Sequence, residues 1–268
     1  MIYKKIPLME GNENAYLTTY VSDKINDFTR DAILVIPGGG YTNICSEREG
    51  EAVAQAFVPY GYNAFVLNYS VRENGKVYPS QLIEASLAIK HIKDNAEEYG
   101  INPDRIFACG FSAGGHLCGS LGTMWHKKEI YDAVEMPFGY NKPTGIMLIY
   151  PVISADFHEF TFKALLNKDQ ITDEDNKMCS IEKNVDENSA PAFILHTVTD
   201  QVVDVHNSLA VAKAYADINK PFEMHIYPEG PHGVALGNKI TRNGIPGYKN
   251  AAIAKWIEHA AMWAESIK

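Results

Sequence analysis

The pentapeptide Gly-x-Ser-x-Gly at residues 110–114 is the feature that most constrains how this sequence folds. It follows a short apolar run, residues 106–109, and precedes a helical pattern rich in Ala, Gly and Leu. A serine on a sharp strand-to-helix turn needs small neighbours, because the backbone crosses itself there. The N–H groups that begin the helix would point toward an oxyanion above Ser112. The pattern predicts a nucleophile elbow, with a purely structural glycine-rich turn as the alternative.

Apolar runs alternate with helical patterns along the rest of the chain. Continuous apolar runs, typical of strands covered on both faces, occupy residues 32–36, 63–69, 145–151 and 192–197, and an alternating run occupies 222–227. Apolar residues at helical spacing occupy residues 47–59, 79–99, 205–219 and 248–267. The order predicts an α/β fold with a mainly parallel, doubly wound sheet flanked by helices. Residues 15–21 are predicted to be an edge strand, and residues 102–105 a turn.

The length of 268 residues and the hydrophobic content of 46% fit one large core, so we predict a single domain over residues 1–268. Residues 154–189 interrupt the alternation with a polar segment that carries a charge cluster and several aromatic residues near its start. We interpret them as a short helical insertion. It is either a cap over the site or a solvated connector.

Composition and missing motifs exclude several classes of function. The net charge is −9 and the basic residues are scattered, which argues against a nucleic-acid partner. No apolar run has the length of a membrane span, no signal peptide is evident, and the four cysteines form no CxxC pair, so we expect a cytoplasmic protein. No HExxH, GxGxxG or P-loop pattern is present, and we predict neither a metal nor a cofactor. A homodimer is expected by default, without a sequence feature that favours it.

A serine hydroxyl becomes nucleophilic when a base accepts its proton and a carboxylate orients that base. In the α/β-hydrolase arrangement these groups follow in the order Ser, Asp or Glu, His, each on a loop after a strand. Asp200 follows the strand that ends at Thr197, and His232 follows the strand that ends at Tyr227. The order therefore predicts a triad of Ser112, Asp200 and His232. Asp204 is the rival acid, although its position also suits a helix cap.

Position separates His232 from the other histidines, because it alone lies on a glycine-flanked loop after the last strand. The remaining eight lie in predicted helices, in strands or in the insertion: His91, His116, His126, His158, His196, His206, His225 and His259. Of these, His196 and His225 are predicted to be hydrogen-bonded structural residues within strands. His116, one turn along the elbow helix, is predicted to pack behind the site.

Three consecutive glycines, Gly38 to Gly40, follow the buried strand 32–36 directly. Glycine lets backbone amides approach a ligand closely, so this loop is the candidate second half of an oxyanion hole. We predict that the N–H groups of Gly39, Gly40 and Ala113 are its donors; a flexible loop is the alternative. Aromatic residues beside these elements, Tyr41 and Phe111, are candidate substrate contacts.

Five segments together resemble bacterial α/β-hydrolase esterases, and more narrowly the acetylxylan esterase-like "lipase/esterase" group. They are residues 37–41 (Pro-Gly-Gly-Gly-Tyr), 46–50 (Ser-Glu-Arg-Glu-Gly), 110–116 (Gly-Phe-Ser-Ala-Gly-Gly-His), 199–203 (Thr-Asp-Gln-Val-Val) and 231–233 (Pro-His-Gly). The resemblance spans the chain from about Ile33 onward. It implies hydrolysis of small acyl esters, acetyl groups on xylose-containing oligosaccharides above all. Position 204 departs from the group, where many members have Pro.

The leading hypothesis is a serine carboxylesterase that acts on a small-molecule ester through an acyl-enzyme. The same triad also serves amide bonds, so a peptidase or an arylformamidase is the second hypothesis. A non-catalytic ligand-binding protein on the same fold is the third. A covalent serine probe separates the third from the first two.

Overall fold

The computed structural model describes residues 1–242, 244 and 247–267. Eight strands form one sheet: β1 Lys5–Pro7, β2 Tyr16–Tyr20, β3 Arg30–Ile36, β4 Tyr62–Asn68, β5 Ile101–Phe111, β6 Gly145–Ile149, β7 Ala192–Thr197 and β8 Phe222–Tyr227. The α-helices are α1 Ser46–Glu49, α2 Glu51–Phe57, α3 Ser80–Asp94, α4 Ala96–Tyr99, α5 Ser112–Thr123, α6 Lys128–Ala133, α7 Ala155–Leu166, α8 Asp173–Cys179, α9 His206–Asp217 and α10 Trp256–Ser266.

The strand order is β1-β2-β4-β3-β5-β6-β7-β8, with β1 and β2 antiparallel and β3 to β8 parallel. This confirms the predicted mainly parallel sheet. The chain passes from β3 to β4 on one side of β3 and then to β5 on the other. Loops leaving β3 and β5 therefore diverge at the carboxyl edge of the sheet, which is where open α/β sheets bind ligands.

Both faces of the sheet are covered by apolar packing. Along β3, Leu34 and Ile36 belong to one buried cluster, and Ile33 and Val35 belong to the other. Helices α3, α5 and α9 contribute to the first cluster, while α2 and α10 contribute to the second. Because neither face of the central strands meets water, their sequences are apolar without alternation.

Two predictions about strands are wrong. Residues 16–20 form an interior strand, because the short strand β1 pairs with their outer side. Residues 102–105, predicted to be a turn, belong to β5, where the pairing with β3 moves from Arg30↔Ile101 to Ala32↔Ile106. Asn102-Pro103 carries a turn signal, and β5 bulges out of register there: a step of five residues along β5 matches a step of two along β3, and the N–H of Asp104 donates to Asn102 Oδ1 at 3.0 Å.

The predicted helices are shorter than their patterns. The helix predicted over 47–59 is interrupted at Gly50, and the helix over 79–99 is interrupted at Asn95. The helix predicted from Tyr248 begins as α10 at Trp256, after a short 3₁₀ turn. Asn250 caps this 3₁₀ turn, since its side chain accepts hydrogen bonds from the N–H groups of Ala252 and Ile253.

Residues 154–189 contain α7, α8 and a short 3₁₀ turn, all outside the sheet and between β6 and β7. The buried residues Phe162 and Leu165 of α7 join the apolar cluster shared with α3 and α5. The segment is thus packed onto the molecule along one side of α7. No helix within the described residues is long and apolar enough to cross a membrane.

Candidate active site

The turn from β5 into α5 holds Ser112 in left-handed backbone geometry, with φ of 53°. A Cβ on Gly110 would lie 2.2 Å from the carbonyl oxygen of Gly114, and a Cβ on Gly114 would lie 2.2 Å from the carbonyl oxygen of Ile36. Both distances are far below any real contact, so these positions require glycine. The turn has the strand–turn–helix geometry that the pentapeptide predicts.

Ser112, His232 and Asp200 lie side by side, although each comes from a different loop at the carboxyl edge of the sheet. His232 Nε2 is 2.9 Å from Ser112 Oγ, and His232 Nδ1 is 2.7 Å from Asp200 Oδ2. Both distances are ordinary hydrogen-bond lengths. The structure therefore places the three predicted residues in a continuous hydrogen-bonded chain.

The Asp200 carboxylate is buried, and both of its oxygens have hydrogen-bond partners. Its Oδ1 accepts hydrogen bonds from the backbone N–H groups of Val202 and Val203, each at 2.9 Å. Its Oδ2 faces His232 and also lies 3.4 Å from Nε2 of His196. Burial acts to raise the pKa of Asp200, but the hydrogen bonds from His196 and His232 outweigh it and hold that pKa well below its usual range. The group is an anion at neutral pH.

His196 lies behind this carboxylate and is completely buried. Its Nε2 is 2.9 Å from the carbonyl oxygen of Val203, and its Nδ1 is 2.7 Å from Ser208 Oγ. A carbonyl oxygen only accepts, so Nε2 carries the proton. The prediction of a hydrogen-bonded structural histidine is confirmed, and the same proton also faces Asp200.

The rival acid Asp204 does not reach His232. Its side chain is exposed, and its Oδ1 accepts a hydrogen bond from the backbone N–H of His206 at 2.8 Å and pairs with the His206 ring. These two hydrogen bonds from His206 lower the pKa of Asp204. Asp204 lies two residues before α9, whose N-cap is Val205, and its carboxylate accepts from the first N–H of the helix, that of His206.

The glycine loop and the first turn of α5 lie beside Ser112. Gly39 and Gly40 have φ of 131° and 66°, and both line the same cleft as Ser112. Within the described part of the chain, the N–H groups of Gly39 and Gly40 donate to no other protein group. The N–H of Ala113 belongs to the first turn of α5 and has no helical partner. Three backbone donors are thus free near the serine.

A buried carboxylate that sequence reasoning missed supports this loop. Glu49 Oε2 accepts a hydrogen bond from the N–H of Gly38 at 2.8 Å, and Glu49 Oε1 accepts one from the Tyr150 hydroxyl at 2.9 Å. The Tyr150 ring packs edge-on against the His232 ring, with centroids 5.0 Å apart. Burial raises the pKa of Glu49, and the hydrogen bonds from Gly38 and Tyr150 only partly oppose it. In the sequence, Glu49 is marked only by the segment 46–50, which belongs to the family resemblance but indicates no role for this residue.

The two predicted aromatic substrate contacts are wrong. Tyr41 is buried, and its hydroxyl is 2.9 Å from Nδ1 of His116, which itself packs behind the site as predicted. Phe111 is buried against Tyr150 and Trp256 in the core. Their sequence neighbours Gly40, Thr42 and Ser112 line the cleft, whereas these two side chains point into the core.

The cleft at Ser112 has a volume of about 290 Å³. Beside the serine, His232 and the glycine loop, α7 contributes His158 and Phe160 to its lining, and the loop after Asp200 contributes Val202. His158 and Phe160 were not singled out from the sequence as site residues. Their signal was weak, since only their place early in the insertion connects them with the site. Over the described ranges, no three His, Cys, Asp or Glu side chains cluster in a way that could hold a metal ion.

Comparisons with known proteins agree with the geometry. The model of the BD-FAE family matches residues 18–215. Endo-1,4-beta-xylanase B of Butyrivibrio fibrisolvens is 38% identical over 227 residues, which is 83% of this chain and 35% of that protein. The acetylxylan esterase of Xylanibacter ruminicola is 29% identical over 215 residues, which is 77% of this chain and 41% of that protein. The chain spans about a third to two fifths of the length of these curated relatives.

Solved structures match over nearly the whole chain. The acetyl ester-xyloside bifunctional hydrolase of Caldicellulosiruptor lactoaceticus superposes with a TM-score of 0.81 at 33% identity, covering 98% of this chain and 96% of that one. The carboxylesterase Cest-2923 of Lactobacillus plantarum gives a TM-score of 0.86 at 26% identity, with 99% and 97% covered.

The sheet order, the serine turn and these structural neighbours make the protein an α/β-hydrolase of the esterase type. Within that class the chain belongs to the BD-FAE family and is acetylxylan esterase-like.

Proposed function

We propose that the protein is a serine carboxylesterase that removes small acyl groups, acetyl above all, from sugars. The observation that carries the proposal is the hydrogen-bonded chain from Ser112 through His232 to the ionised Asp200, beside unengaged backbone donors. A serine, a base and an orienting carboxylate in this arrangement perform nucleophilic acyl transfer.

In the first half-reaction, His232 Nε2 takes the proton of Ser112 Oγ as that oxygen attacks the ester carbonyl. The resulting oxyanion accepts hydrogen bonds from the N–H groups of Gly39, Gly40 and Ala113. Asp200 stabilises the imidazolium that forms. The protonated His232 then gives its proton to the leaving alcohol oxygen, and an acyl-enzyme on Ser112 remains. In the second half-reaction, water attacks the acyl carbonyl as His232 takes its proton; the bond from the carbonyl carbon to Ser112 Oγ then breaks, His232 returns the proton to Oγ, and the carboxylic acid leaves.

Two observations support a small acyl group and a sugar alcohol. The cleft at Ser112, about 290 Å³, is at the lower limit of ordinary ligand sites, which suits a small acyl group at the serine. The named relatives include a xylanase, an acetylxylan esterase and an acetyl ester-xyloside hydrolase. We therefore propose acetylated xylo-oligosaccharides as the substrate class, and residues 154–189 as a cap, since α7 lines the cleft.

The test compares a series of acyl esters of one alcohol, from acetyl to octanoyl, with wild type and Ser112→Ala. We expect a clear preference for acetyl, and a loss of about 10⁶-fold in kcat in the variant, because the nucleophile is gone. Ser120→Ala is the matched control, as Ser120 lies two turns further along α5 and away from the cleft. Equal rates for Ser112→Ala and wild type would remove this serine from the reaction, and a preference for matched amides would move the protein to the amide-directed class.

A further inference from the structure

His158 lines the cleft from a position where α7 is not helical. Its φ and ψ are −152° and 60°, so the helix is interrupted there between its first turn and the remainder. The interruption follows directly on a capped start, in which Ser154 Oγ accepts a hydrogen bond from the N–H of Asp156. The imidazole therefore enters the cleft together with Ser112 and His232 instead of following the helix surface.

The His158 ring has free hydrogen-bonding capacity. No group among the described residues hydrogen-bonds to it, although it is only partly exposed and lines the cleft. Burial and the charge of His232 lower the pKa of His158, so it is neutral at neutral pH. A neutral imidazole offers one donor and one acceptor, which matches a hydroxyl group that also does both.

His158 shares the cleft with His232, the group that would protonate the leaving alcohol. His232 must reach the leaving oxygen to protonate it, so the alcohol of the substrate lies toward His232. The His158 ring lines the same cleft as His232 and Ser112, so it is available to the alcohol part of a bound ester. A hydroxyl next to the ester oxygen would thus meet the His158 ring.

Phe160 lies two residues further along α7 and is 67% exposed. It overhangs the glycine loop, since its Cε1 lies 3.9 Å from the point where a Cβ on Gly40 would be. In the empty protein this aromatic ring keeps apolar surface in contact with water, which is unfavourable until a ligand covers it. Its negative ring face attracts the C–H groups on one face of a saturated sugar ring.

We infer that His158 and Phe160 form the subsite for the sugar ring of the leaving alcohol. His158 hydrogen-bonds to a ring hydroxyl beside the scissile ester, and Phe160 packs on the ring face. This subsite rests on the proposed esterase function and names the groups that select its alcohol. A chain that only needed to hydrolyse simple esters would gain nothing from an unengaged imidazole beside its base.

Three acetyl esters separate the two contacts: ethyl acetate, cyclohexyl acetate and a mono-O-acetylated methyl xyloside. The cyclohexyl ester has the ring without the hydroxyls, and the ethyl ester has neither. For His158→Leu we expect the ratio of kcat/KM for the xyloside to that for cyclohexyl acetate to fall about tenfold, with His158→Asn recovering most of it, because an amide both donates and accepts. For Phe160→Ala we expect both ring esters to lose about tenfold relative to ethyl acetate, with Phe160→Tyr recovering them.

Phe138→Ala is the matched control, because Phe138 is 73% exposed and lies before β6, outside the cleft lining. Loss by the same factor on all three esters, or a change in acyl-chain preference instead of alcohol preference, would overturn the subsite. If wild type hydrolyses none of the esters, the proposed function fails and the subsite fails with it. If wild type hydrolyses them and the ratios stay constant in the variants, only the subsite fails.

Discussion

Asp200 uses the two oxygens of its carboxylate for different purposes. One oxygen accepts the two backbone N–H groups of its own loop, which fixes the side chain, and the other faces His232. Because the carboxylate is already held by the backbone, it orients the imidazole without relying on the substrate. This division of roles is the structural difference between Asp200 and Asp204.

We predict that Asp200→Asn lowers kcat for an acetyl ester by about 10⁴-fold, since the amide can turn its NH₂ toward His232 and favour the wrong tautomer. Asp204→Asn is the matched control and is expected to stay within twofold of wild type, because asparagine caps a helix equally well. Steady-state kinetics on both variants decide this. Comparable losses in the two would mean that Asp204 shares the role.

Glu49 gives a prediction about pH. Its pKa in the folded protein is raised above the usual value of about 4.5, so between the two values the folded chain holds a proton that the unfolded chain has lost. The free energy of unfolding then falls as pH rises through this window, by up to about 1.4 kcal/mol per pH unit. Glu49→Gln should remove that slope.

The measurement is urea unfolding of wild type and Glu49→Gln from pH 4.5 upward. The exposed neighbour provides the control variant, Glu47→Gln, which should follow wild type at every pH. If the free energy of unfolding changes with pH in the same way for wild type and Glu49→Gln, then Glu49 titrates alike in the folded and unfolded chains.

The site residues differ in how far the sequence revealed them. Ser112, Asp200 and His232 could be placed because loops after parallel strands meet at one edge of the sheet, and chain order fixes which loops these are. Tyr41 and Phe111 could not be judged, because a side chain next to a turn points inward or outward according to local φ and ψ. Glu49 and His158 were missed because their roles depend on contacts across the fold with Gly38, Tyr150 and His232.

At the scale of elements, the packing of α5 against the loop after β3 unites the two halves of the candidate oxyanion hole. Gly114 permits this contact, as a Cβ there would lie 2.2 Å and 2.3 Å from the carbonyl oxygens of Ile36 and Pro37. Both of these atoms belong to the backbone, so no side-chain rotation can move them aside. The helix is therefore close to the glycine loop only because position 114 has no side chain.

We predict that Gly114→Ala lowers the free energy of unfolding by about 3 kcal/mol, because the helix must move off the sheet. Gly119→Ala in the same helix is the control. Its Cβ would meet only the side chain of Ile181, at 3.1 Å, so it should change stability by about 1 kcal/mol or less. Urea unfolding measures the free energy of unfolding of both variants. Equal changes in the two would mean that the close contact at Gly114 contributes nothing beyond helix propensity.

Element boundaries were harder to predict than element types. The strand pattern at 222–227 coincides with β8, because alternating residues and flanking turn signals agree there. The helix pattern from Tyr248 overshot by eight residues, since the Asn250 side chain binds the N–H groups that follow it and the chain passes through a 3₁₀ turn at Ile253–Lys255 before α10 begins at Trp256. Periodicity registers which residues are apolar, but it does not register such local competition for the backbone.

At the scale of the whole molecule, Arg105 connects three distant segments. Its guanidinium makes a forked ion pair with Asp31 on β3, at 2.8 Å from Nη2 to Oδ2. It also donates to the carbonyl oxygens of Ala264 and Ile267 at the end of α10, at 3.0 Å and 2.6 Å. The carboxyl end of a helix carries partial negative charge, so a fixed cation there is stabilising.

We predict that Arg105→Lys lowers the free energy of unfolding by about 1–2 kcal/mol, because an ammonium group cannot reproduce the fork and reach both carbonyls. Arg72→Lys, which gives up one exposed contact with Asn167, is expected to change it by less than about 0.5 kcal/mol. Thermal unfolding of both variants tests this. A loss in Arg105→Lys no larger than that in Arg72→Lys would show that the fork adds nothing.

The hydrogen bond between Ser112 and His232 joins residues 120 positions apart in the chain. During synthesis at about 5–20 residues per second, the serine turn leads the histidine by roughly 6 to 24 s. In that interval residues 101–123, which form β5 and α5 in the folded protein, have been synthesised, while His232 has not. The proposed triad can therefore form only after residue 232 has been translated, and until then Ser112 lacks its proposed base.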